Sequence, residues 1–377
     1  MMVLHITNDY SGSTVYKNMM MELDKLDIEQ IVYNPVRDAS RIGKNQVCLL
    51  SKNSKIIYSH ILTKYSDRII YKKKIQKIVK DIESKVDMTK VTFIHAHTWY
   101  SDGGAAYILS QKYKIPYIVA IRNTDLNLFF RYFIHERNFG KKILKNAKKI
   151  ITISEVYKNR ILESPKLSSI KKDLLDKLIV IPNGVDPFWI DNKSENKKNS
   201  QAKEFKLLYV GKFDKGKNVL NLVKAVKEIN TKGKYSVVLT LVGGEGNDEK
   251  NILKDIKEVD QISFLGKILD KSKLLDIMRD NDIFAMPSKA ETFGLVYVEA
   301  MLQGLPILYT ENEGIDGFYD ENIGEKVTKS DVSEIELKVI KLIENYNQYQ
   351  IPTNKLVINH DWKRIAVKYQ ELYLLDE

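Results

Sequence analysis

A loop-and-helix stretch late in the chain combines the residue types that bind sugars and phosphates. Glu291 lies in a loop after an apolar run, Gly294 precedes a helical pattern, and Glu299 falls inside that pattern. Free backbone N–H groups at a helix start bind phosphates, and a glycine lets the ligand approach the backbone closely. Carboxylates accept hydrogen bonds from sugar hydroxyls. The stretch therefore predicts a site for a sugar and a diphosphate, with the amides of Phe293, Gly294 and Leu295 facing the diphosphate.

Two lysines stand in a glycine turn that follows the first predicted strand of the second half. Gly211 begins the turn, and Lys212 and Lys217 follow it. Ammonium groups that face a nucleoside diphosphate stabilise the negative charge that grows as the diphosphate leaves a sugar. Lysine-rich turns taken alone are usually solvated loops, so this turn is informative only together with the acidic stretch.

The acidic stretch as a whole resembles one family of enzymes. Seven residues separate Glu291 from Glu299, Phe-Gly-Leu lies between them, and Glu299 opens a Glu-Ala-Met string that precedes Gly-Leu-Pro. This pattern resembles the retaining GT-B glycosyltransferases of family four. The resemblance implies that Glu291 lies by the donor sugar and that Glu299 holds the ribose. It also implies that Lys212 and Lys217 clamp the donor diphosphate and act in catalysis with Glu291.

Further resemblances extend the donor site. The segment with Lys267 and Ile268 is similar to the family's backbone contact with the nucleotide base. The family has a glycine-rich loop after the first strand, near the donor phosphates and the acceptor, and here this loop holds Gly12 and Ser13. Asp280-Asn-Asp282 has the form of a metal-binding motif, but it stands at a helix-to-strand junction far from the acidic stretch. No cluster of histidine, cysteine and carboxylate suggests a metal site, so we expect no metal and no other cofactor.

The first half contributes candidate contacts to the sugar or the acceptor. His97 ends a strand in a His-Ala-His string that resembles a family segment, which makes it a candidate catalytic residue, with a structural histidine as the alternative. Arg122 stands where many relatives have a histidine that touches the donor sugar. Arginine cannot act as a base, but it can hold a phosphate or carboxylate bidentately. The sequence therefore predicts an anionic sugar or acceptor. Its expected contacts are Arg122, the following Asn123 and Asp125, and Ser13.

Apolar runs alternate with amphipathic helical runs along the chain, which is the pattern of α/β units on a parallel sheet. The predicted strands are Val3–Thr7, Ile28–Val32, Val91–His95, Tyr117–Ile121, Lys149–Ile153, Phe205–Val210, Ser236–Val242, Asp282–Met286 and Leu305–Tyr309. The predicted helices of the first half are Tyr65–Val86, Gly103–Tyr113 and Phe129–Ala147. Val47–Leu50 and Ile56–Tyr58 predict an additional hairpin.

The alternation breaks once, which predicts two domains. Turn residues fill 181–187, and the polar stretch Asp191–Lys203 has the composition of a linker. We expect two Rossmann-like doubly wound domains that face each other across a cleft, because ligands of such sheets bind beyond the carboxyl ends of the strands. The expected domains are 1–186 on the acceptor side and 187–361 on the donor side. The resemblance adds a C-terminal helix, 362–377, that crosses back to the first domain.

Length and composition fit this organisation. The 377 residues suit two domains, and 44% apolar residues suffice for two cores. A single cysteine excludes an internal disulfide and favours a reducing compartment. The chain shows neither a secretory signal nor a run of about 20 apolar residues, so we expect a cytoplasmic protein that is free or peripheral on the inner face of the membrane.

Positive charge is concentrated in the first half. Residues 1–190 contain 32 Lys and Arg against 18 Asp and Glu, whereas the remainder contains 28 against 31. Aromatic and basic residues interleave from Phe129 to Lys145, and Tyr65–Lys80 adds many lysines. Together they favour a surface that contacts an anionic membrane. The alternative is that the aromatics belong to the core and the lysines are merely solvated.

The resemblance implies a retaining hexosyltransferase. Its expected donor is a nucleotide sugar, with UDP as the first choice of nucleotide, and its expected acceptor is a lipid-linked or otherwise anionic glycan in cell-surface polysaccharide synthesis. An epimerase or phosphorylase of the same fold is one alternative. A basic nucleic-acid-binding protein is another, but the aromatic and basic residues follow no recognisable single-strand-binding arrangement, so we expect no nucleic acid as partner.

Overall fold

The computed structural model describes residues 1–194, 204–329 and 331–374 of the chain. Residue contacts divide the chain into two units. Unit 1 comprises Met1–Gly184 together with His360–Glu377, and unit 2 comprises Val185–Asn359. Of the predicted linker, residues 195–203 lie outside the described residues.

Unit 1 is built around a sheet whose described strand pairings are all parallel. Its strands are β1 (Met2–Ile6), β2 (Glu29–Pro35), β3 (Lys55–Ser59), β4 (Phe93–Ala96), β5 (Tyr117–Ala120), β6 (Ile150–Thr152) and β7 (Leu178–Val180). Their order across the sheet is β3-β2-β1-β4-β5-β6-β7, so the chain winds outward from β1 in both directions. This is the order of a doubly wound nucleotide-binding sheet.

Helices cover both faces of this sheet. They are α1 (Thr14–Asp24), α2 (Ser66–Ile69), α3 (Tyr71–Lys85), α4 (Ser101–Tyr113), α5 (Arg137–Asn146), α6 (Glu155–Leu162) and α7 (Lys171–Lys177). Apolar residues recur every three or four positions in α3, and Ile75, Ile78 and Ile82 are buried in the core as that spacing requires. Within the described ranges, no helix is long and apolar enough to cross a bilayer.

Three local predictions for unit 1 are corrected by the structure. The hairpin of Val47–Leu50 and Ile56–Tyr58 is wrong, because the first segment forms no strand and β3 finds its hydrogen-bond partners in parallel β2. The helix Tyr65–Val86 is interrupted at Ile70, whose ψ of 87° is not helical and separates α2 from α3. The helix Phe129–Ala147 is α-helical only in α5, after a π-helical turn and a 3-10 turn.

Unit 2 repeats the architecture of unit 1. Its strands are β8 (Glu204–Lys212), β9 (Ser236–Gly244), β10 (Ile262–Phe264), β11 (Ile283–Ala285), β12 (Ile307–Thr310) and β13 (Gly324–Val327). They are parallel and follow the order β10-β9-β8-β11-β12-β13. The helices are α8 (Pro187–Asp191), α9 (Val219–Lys232), α10 (Glu249–Ile256), α11 (Lys271–Asp280), α12 (Leu295–Leu302), α13 (Val332–Glu344) and α14 (Thr353–His360). The Rossmann-like, doubly wound α/β class predicted for both halves is thereby confirmed.

The last helix, α15 (Trp362–Tyr373), returns to unit 1 and packs against α1. Trp362 is buried in the same core cluster as α1, and Gly184 lies against its ring so closely that a Cβ there would stand 2.6 Å from it. His360 Nδ1 is 2.8 Å from the Asn183 carbonyl oxygen, and the Tyr373 hydroxyl is 2.7 Å from His95 Nδ1. The C-terminal helix is therefore part of the first unit's core, as the resemblance implied.

Replacing Trp362 with alanine is expected to lower the free energy of unfolding of unit 1 by about 3–5 kcal/mol, because a large buried side chain leaves a cavity that its neighbours only partly fill. The matched control is Val367→Ala on the same helix, where the side chain is 41% exposed and the change should stay within about 0.5 kcal/mol. Chemical denaturation checks both values. Equal effects of the two variants would contradict this account of α15.

Candidate active site

Two of the predicted donor-site segments lie at the same edge of the unit 2 sheet. β8 and β11 are neighbouring parallel strands, so their carboxyl ends reach that edge together. β8 ends in Gly211 and Lys212, and β11 leads into the loop that holds Glu291. Ligands of doubly wound sheets bind at such an edge.

Lys217 and Glu291 form an ion pair at this edge. Lys217 Nζ lies 2.5 Å from Glu291 Oε2, and both side chains are largely buried. The pair forms because the turn Lys215–Lys217 is tied to the acidic loop by a hydrogen bond of 2.8 Å from the Lys289 amide to the Gly216 carbonyl. The structure therefore joins two predicted catalytic residues that the sequence separates widely.

The loop after β12 supports Glu291 from the other side. The Glu291 amide donates to Glu313 Oε2 at 3.0 Å, and the Thr292 amide donates to Glu291 Oε1 at 3.0 Å. Gly314 has a φ of +54°, and a Cβ there would lie 3.1 Å from Glu291 Cγ and 2.9 Å from the Phe293 carbonyl oxygen. Sequence reasoning missed this support, although a Glu-Gly pair shortly after a predicted strand could have indicated a tight loop.

Gly294 sets the direction of α12. Its φ of +79° is a left-handed conformation, and a Cβ would stand 2.5 Å from the Tyr297 ring. The Tyr297 hydroxyl donates to the Met286 carbonyl at 2.5 Å, which ties the helix back to the end of β11. Phe293 is buried, and α12 begins at Leu295. Since the first amides of a helix lack intrahelical acceptors, this helix start can bind an anion beside the ion pair.

Glu299 belongs to a second cluster of charges in unit 2. Trp189 donates a hydrogen bond to its partly buried carboxyl group, and Lys271 pairs with Asp186 nearby, with 2.5 Å from Nζ to Oδ2. Burial is the main cause that raises the pKa of Glu299 to about 7, with a smaller contribution from Asp186, and Lys271 opposes the rise. Glu291 and Glu299 thus have separate partners, although only seven residues stand between them in the sequence.

The remaining predicted donor contacts surround the end of β8. Gly211 lies against the next strand, since a Cβ on Gly243 would stand 1.9 Å from the Gly211 carbonyl oxygen. The Lys212 side chain is exposed, and among the described residues no carboxylate lies within 4.0 Å of it. Lys267 is exposed and pairs with Glu245 at 2.8 Å, and Ile268 beside it is half-buried.

The rejected Asp-Asn-Asp string has a structural role. The Lys206 amide donates to Asp282 Oδ2 at 2.9 Å, and Lys206 Nζ is 3.3 Å from Asp280. These residues lie at the amino-terminal start of β8 and β11, at the opposite end of the strands from Glu291. The two aspartates fix neighbouring strands instead of meeting a ligand at the carboxyl edge.

In unit 1, the buried Asp125 carboxylate binds backbone amides of two loops. Its buried carboxylate accepts hydrogen bonds from the amides of Trp99, Tyr100 and Arg122 at 2.9–3.0 Å. Its predicted contact with a sugar or acceptor is therefore corrected, because both oxygens are already engaged in joining the loops after β4 and β5. Burial raises the pKa of this carboxyl group, and the three amides oppose the rise.

The other predicted residues of unit 1 have local partners. Asn123 accepts a hydrogen bond from the Asn127 side chain. Ser13 caps α1 by accepting from the Val15 amide at 3.3 Å. Gly12 is exposed and lies so close to Asp9 that a Cβ would stand 2.1 Å from a carboxylate oxygen. Arg122 Nε donates to the His97 carbonyl at 3.1 Å, and its Nη1 donates to Asn183 Oδ1 at 3.3 Å.

A histidine cluster in unit 1 corrects the expectation that no such cluster exists. His5 pairs with His95 across β1 and β4, and His97 follows two residues later, so all three buried imidazoles face the same side. One nitrogen of each lies within 4.8 Å of the others, the spacing of a possible metal site. The rings of His95 and His97 are stacked at 3.9 Å, however, so their in-plane lone pairs run side by side and converge poorly.

His97 is enclosed within this cluster. Its Nε2 is 3.2 Å from His5 Nδ1, the Tyr16 ring packs on its edge, and its side chain is fully buried. Burial and the neighbouring His95 and His5 lower the pKa of His97 well below its ordinary value. The predicted catalytic imidazole is thus buried and neutral, although His97 directly follows the carboxyl end of β4.

Asp102 is a buried group that sequence reasoning missed. Its carboxylate accepts hydrogen bonds from the Asn8 amide and side chain at 3.1 Å and from the Thr98 hydroxyl at 2.9 Å. Burial raises the pKa of Asp102 to about 7, and Lys74 opposes the rise. Asp102 thereby joins the loop after β1 to the loop after β4. Only its place in the first turn of α4 could have drawn attention to it.

Two family models match the chain in succession. Residues 12–188 match Glycosyltransferase Family 4, and residues 191–355 match Glycosyl transferases group 1. An uncharacterised glycosyltransferase of Methanocaldococcus jannaschii is 29% identical over 71% of this chain and 69% of its own length. The capsular polysaccharide biosynthesis glycosyltransferase CapM of Staphylococcus aureus is 28% identical over 72% of this chain and 70% of its own length.

Solved structures share the fold at lower identity. Sucrose-phosphate synthase from Thermosynechococcus elongatus has a TM-score of 0.76 at 18% identity, covering 99% of this chain and 98% of that one. Anabaena HepE in complex with UDP and glucose has a TM-score of 0.65 at 16% identity, covering 99% of each chain. With the two sheets and the matches to both halves, these findings show that the chain is a glycosyltransferase of family four with a GT-B-like fold.

Proposed function

We propose that the chain is a retaining glycosyltransferase that moves a hexose from a UDP-sugar to a glycan acceptor in cell-surface polysaccharide synthesis. The ion pair of Lys217 and Glu291 beside the start of α12 carries this proposal. Lys217 is a cation that can bind a phosphate, and Glu291 is a carboxylate that can accept hydrogen bonds from sugar hydroxyls. The two side chains lie next to each other at the carboxyl edge of the unit 2 sheet. The polysaccharide synthesis named for CapM and the UDP and glucose bound to HepE support the choice of pathway class and nucleotide.

The proposed reaction needs no nucleophile from the protein. The diphosphate lies against Lys212, Lys217 and the first amides of α12, which stabilise the charge that grows as the glycosidic bond breaks. Glu291 then accepts hydrogen bonds from the donor sugar, and Glu299 accepts those of the ribose. The acceptor hydroxyl attacks from the face of the departing phosphate, and a phosphate oxygen takes its proton. The two lysines supply the positive charge, so we propose transfer without a metal ion.

The proposed acceptor is lipid-linked and reached from a membrane surface. Leu128, Tyr132 and Ile134 expose 48%, 62% and 65% of their area in one segment after β5, and Arg131 within it is exposed as well. The segment adjoins α3, whose Lys74 Nζ lies 6.0 Å from the centroid of the Phe129 ring, and α3 carries further exposed lysines. Apolar side chains among cations suit the headgroup region of an anionic, cytoplasmic membrane face.

Removing either partner of the ion pair tests the catalytic assignment. Glu291→Gln and Lys217→Ala should each lower turnover about 10²–10³-fold, the effect of losing one preorganised group that stabilises a transition state. Lys215→Ala is the matched control, since this exposed lysine occupies the same turn and should leave turnover unchanged. The readout is UDP release from UDP-sugars with thermal unfolding as a check of folding. Near-normal turnover by both site variants would refute the assignment.

Glu299 should make donor affinity depend on pH. Its pKa is about 7 in the free protein, so its carboxylate becomes protonated as the pH falls below 7. In the proposed complex this carboxylate accepts hydrogen bonds from the ribose hydroxyls. UDP-glucose affinity should weaken by up to about tenfold per pH unit between 7 and 5.5 and level off above 7, because binding requires the ionised form. Glu299→Gln should bind weakly with no such slope. Parallel pH profiles of the two proteins, measured by calorimetry, would speak against this role.

Exposed apolar residues should strengthen membrane binding. Replacing both Tyr132 and Ile134 with serine should lower the partition coefficient onto anionic phosphatidylglycerol vesicles at low salt by about tenfold or more, since burial of each side chain contributes up to about 1.5–3 kcal/mol. Leu337→Ser is the control, because Leu337 is 62% exposed on a helix of unit 2. Vesicle sedimentation measures the effect. Failure of the unmodified protein to sediment would contradict the membrane proposal.

A further inference from the structure

Arg122 is a cation in unit 1 that interacts electrostatically with the buried Asp125, but its guanidinium makes no direct ion pair with a described carboxylate. It follows β5 and is partly buried, and its guanidinium donates to two neutral oxygens, the His97 carbonyl and Asn183 Oδ1. Across the described parts of the chain, no carboxylate oxygen lies within 4.0 Å of the guanidinium nitrogens, and Asp125 accepts a hydrogen bond only from the Arg122 backbone amide, at 2.9 Å. Removing a charge from water is costly unless an opposite charge compensates it, so such a group calls for an explanation.

The nearest carboxylates are committed elsewhere. Asp125 uses both oxygens to bind the amides of Trp99, Tyr100 and Arg122 itself. Asp102 is held by Asn8 and Thr98. Neither group is free to turn toward the guanidinium without breaking the loop connections that it makes.

The guanidinium is held in one orientation. His97 lies just beyond the end of β4 and Asn183 lies beyond β7, so two separate strand ends fix Arg122. Asn183 is itself held, because His360 Nδ1 lies 2.8 Å from its carbonyl oxygen. An arginine has five N–H donors in a planar fork, and the two bonds above leave three of them for a ligand. A planar, oriented fork of this kind matches a carboxylate or a phosphate.

We propose that Arg122 binds an anionic group, a carboxylate or phosphate, on the acceptor. This inference rests on the proposed function and names the class of substrate for it. Among the described neighbours, the imidazoles of His95 and His97 are buried and neutral. Asp125 attracts the guanidinium electrostatically, but both of its oxygens bind backbone amides. An anionic group on the substrate is therefore the direct partner that we propose for the guanidinium.

Ligand binding to the full chain separates the two sources. In the donor arm, calorimetry compares UDP-glucuronate with UDP-glucose. The two donors are expected to bind alike, and a preference for UDP-glucuronate that Arg122→Gln removes would overturn the assignment of the anion to the acceptor. In the acceptor arm, the protein saturated with UDP is titrated with glucose 6-phosphate and with glucose. If the acceptor carries the anion, only the phosphate binds, and Arg122→Gln abolishes it.

The control is Arg137→Gln, since Arg137 is also partly buried and also donates to carbonyl oxygens, those of Phe130 and Arg131. It should change neither preference. Thermal unfolding reports whether each variant folds. Unmodified protein that binds UDP but prefers neither anionic ligand would overturn the inference about Arg122 alone. Failure to bind UDP or any nucleotide sugar would instead overturn the proposed function.

Discussion

The ion pair of Lys217 and Glu291 is the contact on which the proposed donor site depends. Each charge compensates the other in the free protein, so neither is buried alone. The pair exists because β8 and β11 are neighbours and because Lys289 hydrogen bonds to the lysine turn. In the proposed reaction the donor diphosphate becomes the new partner of Lys217, which leaves Glu291 to the sugar hydroxyls. Glycines are required at 294 and 314, because a side chain at 294 would strike the Tyr297 ring and one at 314 would strike the loop that carries Glu291.

In unit 1, buried carboxylates connect the loops at the carboxyl edge of the sheet. Asp102 joins the loops after β1 and β4, and Asp125 joins those after β4 and β5. Arg122 extends the connection to Asn183 beyond β7. Loops at the carboxyl edge of the sheet are thus fixed by hydrogen bonds to charged groups, which are among the stronger ones in proteins. Such fixed loops would give the proposed acceptor a defined surface, on which Arg122 is the proposed contact for an anionic group.

The sequence predicted the fold and part of the site. Alternating apolar and helical runs predicted both doubly wound sheets, because burial on both faces imposes that pattern. The family resemblance assigned Lys217 and Glu291 to one donor site, but it did not predict that the two side chains form an ion pair. Long-range contacts escaped prediction: parallel pairing of β3 with β2 depends on partners distant in the chain, and the burial of His97 against His5 depends on strand register. Asp125 resembled a ligand contact in sequence because one-dimensional spacing does not show which amides a carboxylate will meet.

Hydrogen–deuterium exchange with and without saturating UDP tests the central claim most directly. A nucleotide diphosphate held by the lysine turn and the start of α12 should slow amide exchange in residues 211–218 and 291–299, because those amides become bonded or shielded. Segments around the aspartates at 280 and 282, at the other end of the same strands, should exchange as before. Protection confined to other segments, with 211–218 and 291–299 unchanged, would contradict a donor site at the ion pair.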